Sequence, residues 1–140
     1  MKKLILLFTI ILASSCSNNE DIDGSSNSTS INPPIWIQGY WLLEIGDNGD
    51  VTDLHGYKVT KDDFYLTQIG AGNSMKALIS NTLKSGAAAV VEESVSDTEY
   101  KLNIKLNGMS FPQYYFKKIS STKIQYFDTT GRGGAIFIKQ

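Results

Sequence analysis

Short runs of alternating apolar and polar residues fill the chain from residue 35 onward. In the clearest run, residues 98–106 (TEYKLNIKL), every second residue is apolar: Tyr100, Leu102, Ile104 and Leu106. Alternation with a period of two is typical of an antiparallel strand with one face in the core and the other in water. Similar runs predict eight strands, at residues 40–45, 56–60, 63–69, 88–95, 98–106, 113–119, 123–128 and 135–140.

One segment, between the third and fourth predicted strands, has helical spacing instead. In residues 73–86 (NSMKALISNTLKSG), apolar residues recur three and four positions apart. Asn73 and Ser74 are cap candidates at its start, and Gly86 follows its end. The pattern predicts an amphipathic helix at about residues 74–85. We interpret its apolar stripe as covering an end or a flank of the sheet, with partner binding as the alternative.

These elements together predict an all-β fold, an antiparallel eight-stranded meander barrel with one inserted helix, or otherwise a sandwich. The Asn107-Gly108 pair is a strong hairpin signal within it. An eight-stranded barrel has an interior that side chains can just fill, or that can hold one small ligand. The residues predicted to face this interior are aromatic or aliphatic: Tyr57, Phe64, Leu66, Tyr100, Leu102, Ile104, Phe116, Ile124, Tyr126, Ile136 and Ile138.

The first fifteen residues have the layout of a secretory signal peptide. Lys2 and Lys3 precede the apolar run 4–12, and small residues follow at 13–15. The apolar run is far shorter than the roughly 20 residues that span a bilayer. A cleaved signal peptide is therefore predicted at residues 1–15, and a permanent membrane helix is the weaker interpretation.

The only cysteine, Cys16, follows these small residues directly and cannot form an intrachain disulfide. This arrangement resembles the lipobox of bacterial lipoproteins, although Ala13 stands where that family usually has leucine. The resemblance implies that Cys16 is acylated, with palmitate-type chains that anchor the protein in a membrane. Ser17, where an aspartate is associated with inner-membrane retention, favours the outer membrane. The alternative is a chance cysteine near an ordinary cleavage site.

A polar segment connects Cys16 to the strands. In residues 17–30 the only apolar residue is Ile22, so residues 16–32 are predicted to form a lipidated, disordered tether. The acidic group at 20–23 resembles a surface-export signal of some outer-membrane lipoproteins, and the alternative is a plain solvated linker. The folded domain is predicted at residues 33–140.

The first predicted strand is preceded by the stretch PPIWIQGYW, residues 33–41. Gly39-x-Trp41 at the start of an eight-stranded meander resembles the lipocalins, and especially small bacterial lipocalin-like lipoproteins. The Thr-Asp-Tyr signature of classical lipocalins is absent. The resemblance implies that Trp41 closes one end of the barrel, with Trp36 across the same opening. In that family the tryptophan often packs against a late basic residue, for which Lys139 and Arg132 are the candidates.

Composition excludes several classes of function. The 13 Lys and Arg residues are balanced by 14 Asp and Glu residues without a basic patch, so we predict no nucleic-acid partner. The only histidine, His55, stands in a predicted turn without a nucleophile or a carboxylate to orient it. Residues 46–53 lack the ligand spacing of a calcium loop. We therefore predict no catalytic residue, no metal and no cofactor, and hence no enzyme.

The remaining hypothesis is a monomeric, lipid-anchored binding protein of the outer membrane, with exposure at the cell surface as one alternative. Its ligand would be a small apolar molecule or a peptide, entering at the end near His55 and residues 70–73. The predicted ligand-facing residues are Tyr57, Phe64, Tyr100, Phe116 and Tyr126. The alternative is a non-catalytic structural lipoprotein with a packed barrel, which docks another envelope protein through outer residues such as Tyr115 and Phe127.

Overall fold

The computed structural model describes residues 26–46, 48–69 and 71–140. The predicted signal peptide, Cys16 and most of the predicted tether lie outside them. The described elements, in chain order, are β1 (Ser26–Ser28), β2 (Gly39–Ile45), β3 (Asp50–Val59), β4 (Phe64–Gln68), β5 (Ala71–Ser74), α1 (Met75–Lys84), β6 (Ala89–Val95), β7 (Glu99–Leu106), β8 (Met109–Ser110), β9 (Tyr114–Lys118), β10 (Lys123–Phe127) and β11 (Gly133–Lys139).

The strands form one curled antiparallel sheet. Its order is β1-β6-β7-β9-β10-β11-β2-β3-β4-β5, with β8 paired to β7. The last strand, β11, pairs with β2, so both halves of the chain share one continuous sheet. The edges are β1 and β5, and α1 lies near both β4 and β6, between the two halves. The predicted all-β, barrel-like fold with one inserted helix is confirmed.

All eight predicted strands are present, and three short ones were not foreseen: β1, β5 and β8. The strand predicted at residues 56–60 starts earlier than expected, because β3 begins at Asp50. Backbone pairing with β2 holds this part, with Thr52 opposite Leu43 and Asp50 opposite Ile45. His55 consequently lies in a strand, beside the register shift at Leu42/Leu43, and not in a turn.

The prediction of which face of β11 points inward is also wrong. Ile136 and Ile138 were predicted inside, whereas Phe137 is the residue that is 2% exposed. Phe137 lies opposite Leu43, a partly buried residue packed against the core. The run AIFIK is apolar on both faces, so alternation alone cannot assign the faces of this strand, and pairing with β2 decides.

Helix α1 forms where it was predicted, beginning just after Ser74. The Ser74 hydroxyl accepts a hydrogen bond from the Ala77 amide at 2.9 Å, which satisfies one of the free amides of the first turn. Met75 and Ile79 are buried, so the apolar stripe packs on the barrel. This agrees with the interpretation that the helix covers a flank of the sheet.

The N-terminal boundary of the folded domain differs from the prediction. Ser26–Ser28 pair with β6, and Ile31 is buried with only 2% of its surface exposed. The Asn32 amide also donates to the Glu93 carboxylate at 2.9 Å. Residues 26–32 therefore belong to the domain and not to the tether. Their composition is polar, and the pairing that holds them uses backbone groups, which a hydrophobicity pattern does not reveal.

Candidate functional site

One end of the barrel is filled by Trp41. This side chain is fully buried, and its indole nitrogen donates to the Ile37 carbonyl at 2.6 Å. The Lys139 ammonium lies 5.2 Å from the centre of the Trp41 ring, within the range of a cation–π interaction. Trp41 is therefore held by one hydrogen bond and by the contact with Lys139, a residue of the last strand.

The residues before Trp41 complete this closed end. The Trp36 indole donates to the Ser96 carbonyl at 2.9 Å, which ties the entering chain to the end of β6. Gly39 has a φ of +141°, and a side chain there would collide with Lys139. Both constraints favour glycine at this position. Lys139 thus contacts Trp41 and leaves room only for glycine at position 39, whereas Trp36 is held by Ser96.

The other end of the barrel contains an open cavity of about 360 Å³. Its lining is mostly apolar, from Leu43, Leu66, Pro112, Ala135 and Phe137. Four side chains bring polar groups into it: His55, Tyr57, Tyr114 and Tyr126. An apolar concavity with a few polar groups is the usual form of a small-molecule site, and its volume lies within the common range of roughly 300–1,000 Å³.

A groove of about 600 Å³ continues from this cavity along α1. The two share Leu66, Pro112 and Tyr114. Met75 and Leu78 of the helix and Phe111 form further apolar walls of the groove. An elongated apolar molecule could therefore extend from the cavity toward the helix.

Aromatic packing holds Tyr57 in place at the base of the cavity. Its ring centre lies 4.8 Å from that of Phe137, 5.0 Å from Phe116 and 5.4 Å from Phe64. Burial raises the pKa of the Tyr57 phenol well above its usual value, and the nearby Tyr126 and Tyr114 raise it further. Tyr57 is consequently a neutral hydrogen-bond donor at physiological pH.

The predicted ligand-facing residues separate into two groups. Tyr57 and Tyr126 line the cavity. Phe64, Tyr100 and Phe116 are fully buried in the packed part of the barrel, and the Tyr100 hydroxyl donates to Glu93 at 2.6 Å. Phe64 and Phe116 pack against the Tyr57 ring, and none of the three lines the cavity.

Sequence reasoning missed five lining residues: Leu43, Pro112, Tyr114, Ala135 and Phe137. Tyr114 could have been found, since it alternates with Phe116 on the inner face of β9. Ala135 and Phe137 were lost through the wrong face assignment of β11. His55 was placed near the open end but was given no role in the lining.

The outer face of the sheet carries a second aromatic group. Tyr115 and Phe127 pack against each other with ring centres 5.1 Å apart, and the Lys101 ammonium lies 4.4 Å from the Tyr115 ring centre. Both aromatic residues are partly buried. Their contacts are therefore partly satisfied within the sheet, which weakens the case for them as a docking surface.

The next two observations concern metal sites and membrane-spanning helices. Residues 26–46, 48–69 and 71–140 contain no group of three or more His, Cys, Asp or Glu side chains placed to hold a metal ion. Within the same ranges, no helix has the length and apolar character needed to cross a bilayer.

Comparisons of the chain with protein families, with curated proteins and with solved structures gave no significant match.

Proposed function

We propose that this protein binds a small apolar ligand in the cavity at the open end of its barrel. The observation that carries the proposal is the asymmetry of the barrel. Trp41 seals one end, whereas the other contains a concavity of about 360 Å³ with an apolar lining. Side chains from β2, β3, β4, β9, β10 and β11 line this concavity, so strands from both halves of the chain contribute to its shape.

The cavity also favours binding over the packed-barrel alternative. A scaffold needs only a filled interior, and a void among apolar side chains removes the packing contacts that would stabilise it. The adjoining groove of about 600 Å³ gives room for a ligand longer than the cavity itself, or for a short peptide. We therefore favour a lipocalin-like carrier over a solid structural barrel.

We further propose that acylated Cys16 anchors the protein in the outer membrane. The sequence before the folded part supports this proposal. It has two lysines, an apolar run at residues 4–12, small residues at 13–15 and then the only cysteine, the arrangement that resembles a lipobox.

A larger side chain at Ala135 should block the cavity. In Ala135→Leu, the added carbons extend into the space that the ligand would occupy, and we expect about tenfold weaker binding, equivalent to about 1.4 kcal/mol. The measurement is equilibrium dialysis of the apolar dye N-phenyl-1-naphthylamine against the full chain in lipid nanodiscs, with empty nanodiscs as the blank.

Ala88→Leu is the matched control, because Ala88 is exposed and does not line the cavity. It should bind the dye as the wild type does. Equal affinities for all three proteins, or no binding above the blank, would contradict the proposal.

The anchor has a separate test. Cys16→Ser removes the only thiol that can be acylated. We expect the variant to move from the membrane fraction to the soluble fraction after cell fractionation, and to lose the labelling by alkyne-palmitate that the wild type shows. Ser15→Ala, next to the cysteine, is the control and should remain in the membrane. An unlabelled wild type, or a Cys16→Ser variant that stays in the membrane fraction, would exclude this anchor.

A further inference from the structure

Three tyrosine side chains, Tyr57, Tyr114 and Tyr126, line the open-end cavity. Tyr57 is 4% exposed and Tyr114 is 7% exposed, and their ring centres are 6.2 Å apart. Burial raises the pKa of both Tyr57 and Tyr114, and Tyr126 raises it further, which agrees with their place in one cavity. We name these three residues the tyrosine cluster.

The polar groups of other buried aromatic side chains have partners. The Tyr100 hydroxyl donates to Glu93 at 2.6 Å, and the Trp41 indole donates to Ile37 at 2.6 Å. In contrast, no group within residues 26–46, 48–69 and 71–140 forms a hydrogen bond with a hydroxyl of the tyrosine cluster. Thr67 Oγ1 is the one fully enclosed side-chain polar atom of the described residues without a partner, so the three tyrosine hydroxyls are reached by water in the cavity. A ligand that fills the cavity displaces this water. Because an unpaired buried donor is costly, such a ligand must itself supply an acceptor.

The charges around the cavity limit what that acceptor can be. Neither lysine nor arginine is among the described residues that line it, and the only basic side chain there is His55. Burial raises the pKa of Tyr126, and Asp128, which lies outside the lining, raises it further; the negative charge of Asp128 would repel an anion. A carboxylate buried here would lose its hydration without a strong cationic partner, whereas a neutral acceptor would avoid that cost.

From this geometry we infer that the ligand is a neutral apolar molecule with a carbonyl-type hydrogen-bond acceptor, such as a ketone or an ester, held by the tyrosine cluster. The acceptor lies between Tyr57, Tyr114 and Tyr126, and the apolar part lies against Leu43, Leu66 and Phe137. This inference rests on the proposed function, because it assigns the chemistry of the same cavity.

The test compares three tritiated probes of similar size: 2-undecanone, undecane and decanoate. Each is dialysed against the full chain in nanodiscs of zwitterionic lipid, with empty nanodiscs as the blank. A neutral hydrogen bond contributes about 1 kcal/mol, and a carbonyl accepts up to two, so we expect 2-undecanone to bind about tenfold more tightly than undecane. Decanoate should bind more weakly than the ketone.

The variant Tyr57→Phe/Tyr114→Phe/Tyr126→Phe removes the donors and keeps the rings. It should bind undecane as the wild type does and lose the preference for the ketone. Tyr126→Phe alone, at the least buried of the three positions, should lose part of the preference and serves if the triple variant is unstable. Tyr115→Phe on the outer face is the matched control and should keep the full preference.

Infrared spectroscopy gives an independent readout of the same contact. The carbonyl stretch of 2-[2-¹³C]undecanone should shift to lower frequency in the wild type and return toward its apolar-solvent value in the tyrosine variants. Equal binding of ketone and alkane, or tightest binding of decanoate, would overturn the assignment of ligand class. If Ala135→Leu still blocks those probes, the proposed function stands. If no probe binds above the blank, both proposals fail.

Discussion

Replacing Trp41 with alanine should lower the free energy of unfolding by about 3–5 kcal/mol, the usual cost of truncating a buried tryptophan. The side chain is fully buried, so the variant leaves a large void at the closed end of the barrel. It also removes the hydrogen bond to Ile37 and the contact with the Lys139 ammonium. Urea unfolding of the full chain, followed by far-ultraviolet circular dichroism, measures the change.

Ile35→Ala is the control, because Ile35 is 84% exposed and lies in the same entering segment. It should unfold almost as the wild type does. If Trp41→Ala were as stable as Ile35→Ala, the closed end would not depend on Trp41, and the structural role that we assign to it would be wrong.

Asp63→Ala should be destabilising by about 3 kcal/mol, since it leaves one buried and two partly buried donors without their acceptor. The Asp63 carboxylate is 4% exposed and accepts hydrogen bonds from the Phe64 amide at 2.7 Å, the Lys76 amide at 2.9 Å and the Ser74 hydroxyl at 2.5 Å. It therefore joins the start of β4 to the first turn of α1. The same urea experiment measures this loss.

The neighbouring carboxylate provides the control for this variant. Asp62 forms an ion pair with Lys76, but both side chains are about half exposed. Exposed ion pairs contribute little to stability, so Asp62→Ala should unfold close to the wild type. If both variants had the same small effect, the carboxylate of Asp63 would not hold the helix to the sheet.

Local sequence patterns were sufficient to predict most of the strands and the helix. The clean alternation of residues 98–106 predicted β7, and the helical spacing with Ser74 predicted α1 and its cap. The Asn107-Gly108 pair does form a tight turn, with φ values of 50° and 80°, between β7 and the short β8. These features depend on neighbours in sequence, so the sequence predicts them directly.

The site was predicted less completely, because its residues come from distant strands. Tyr57 and Tyr126 were identified by alternation, yet the same rule selected Phe64 and Phe116, which pack in the solid part of the barrel. The alternation of apolar and polar residues predicts that a side chain points inward. It does not state whether the interior at that level is filled or hollow.

By itself, the sequence determined that this protein is an all-β barrel with one inserted helix, since period-two and helical spacing are local properties of the chain. The tertiary structure decided the face of β11, the length of β3 and the packing of residues 26–32 against the sheet. It also decided where Trp41 and Lys139 meet and where the tyrosine cluster surrounds an open space. The physical reason is that register and packing depend on pairs of strands far apart in sequence, and only the folded chain brings them together.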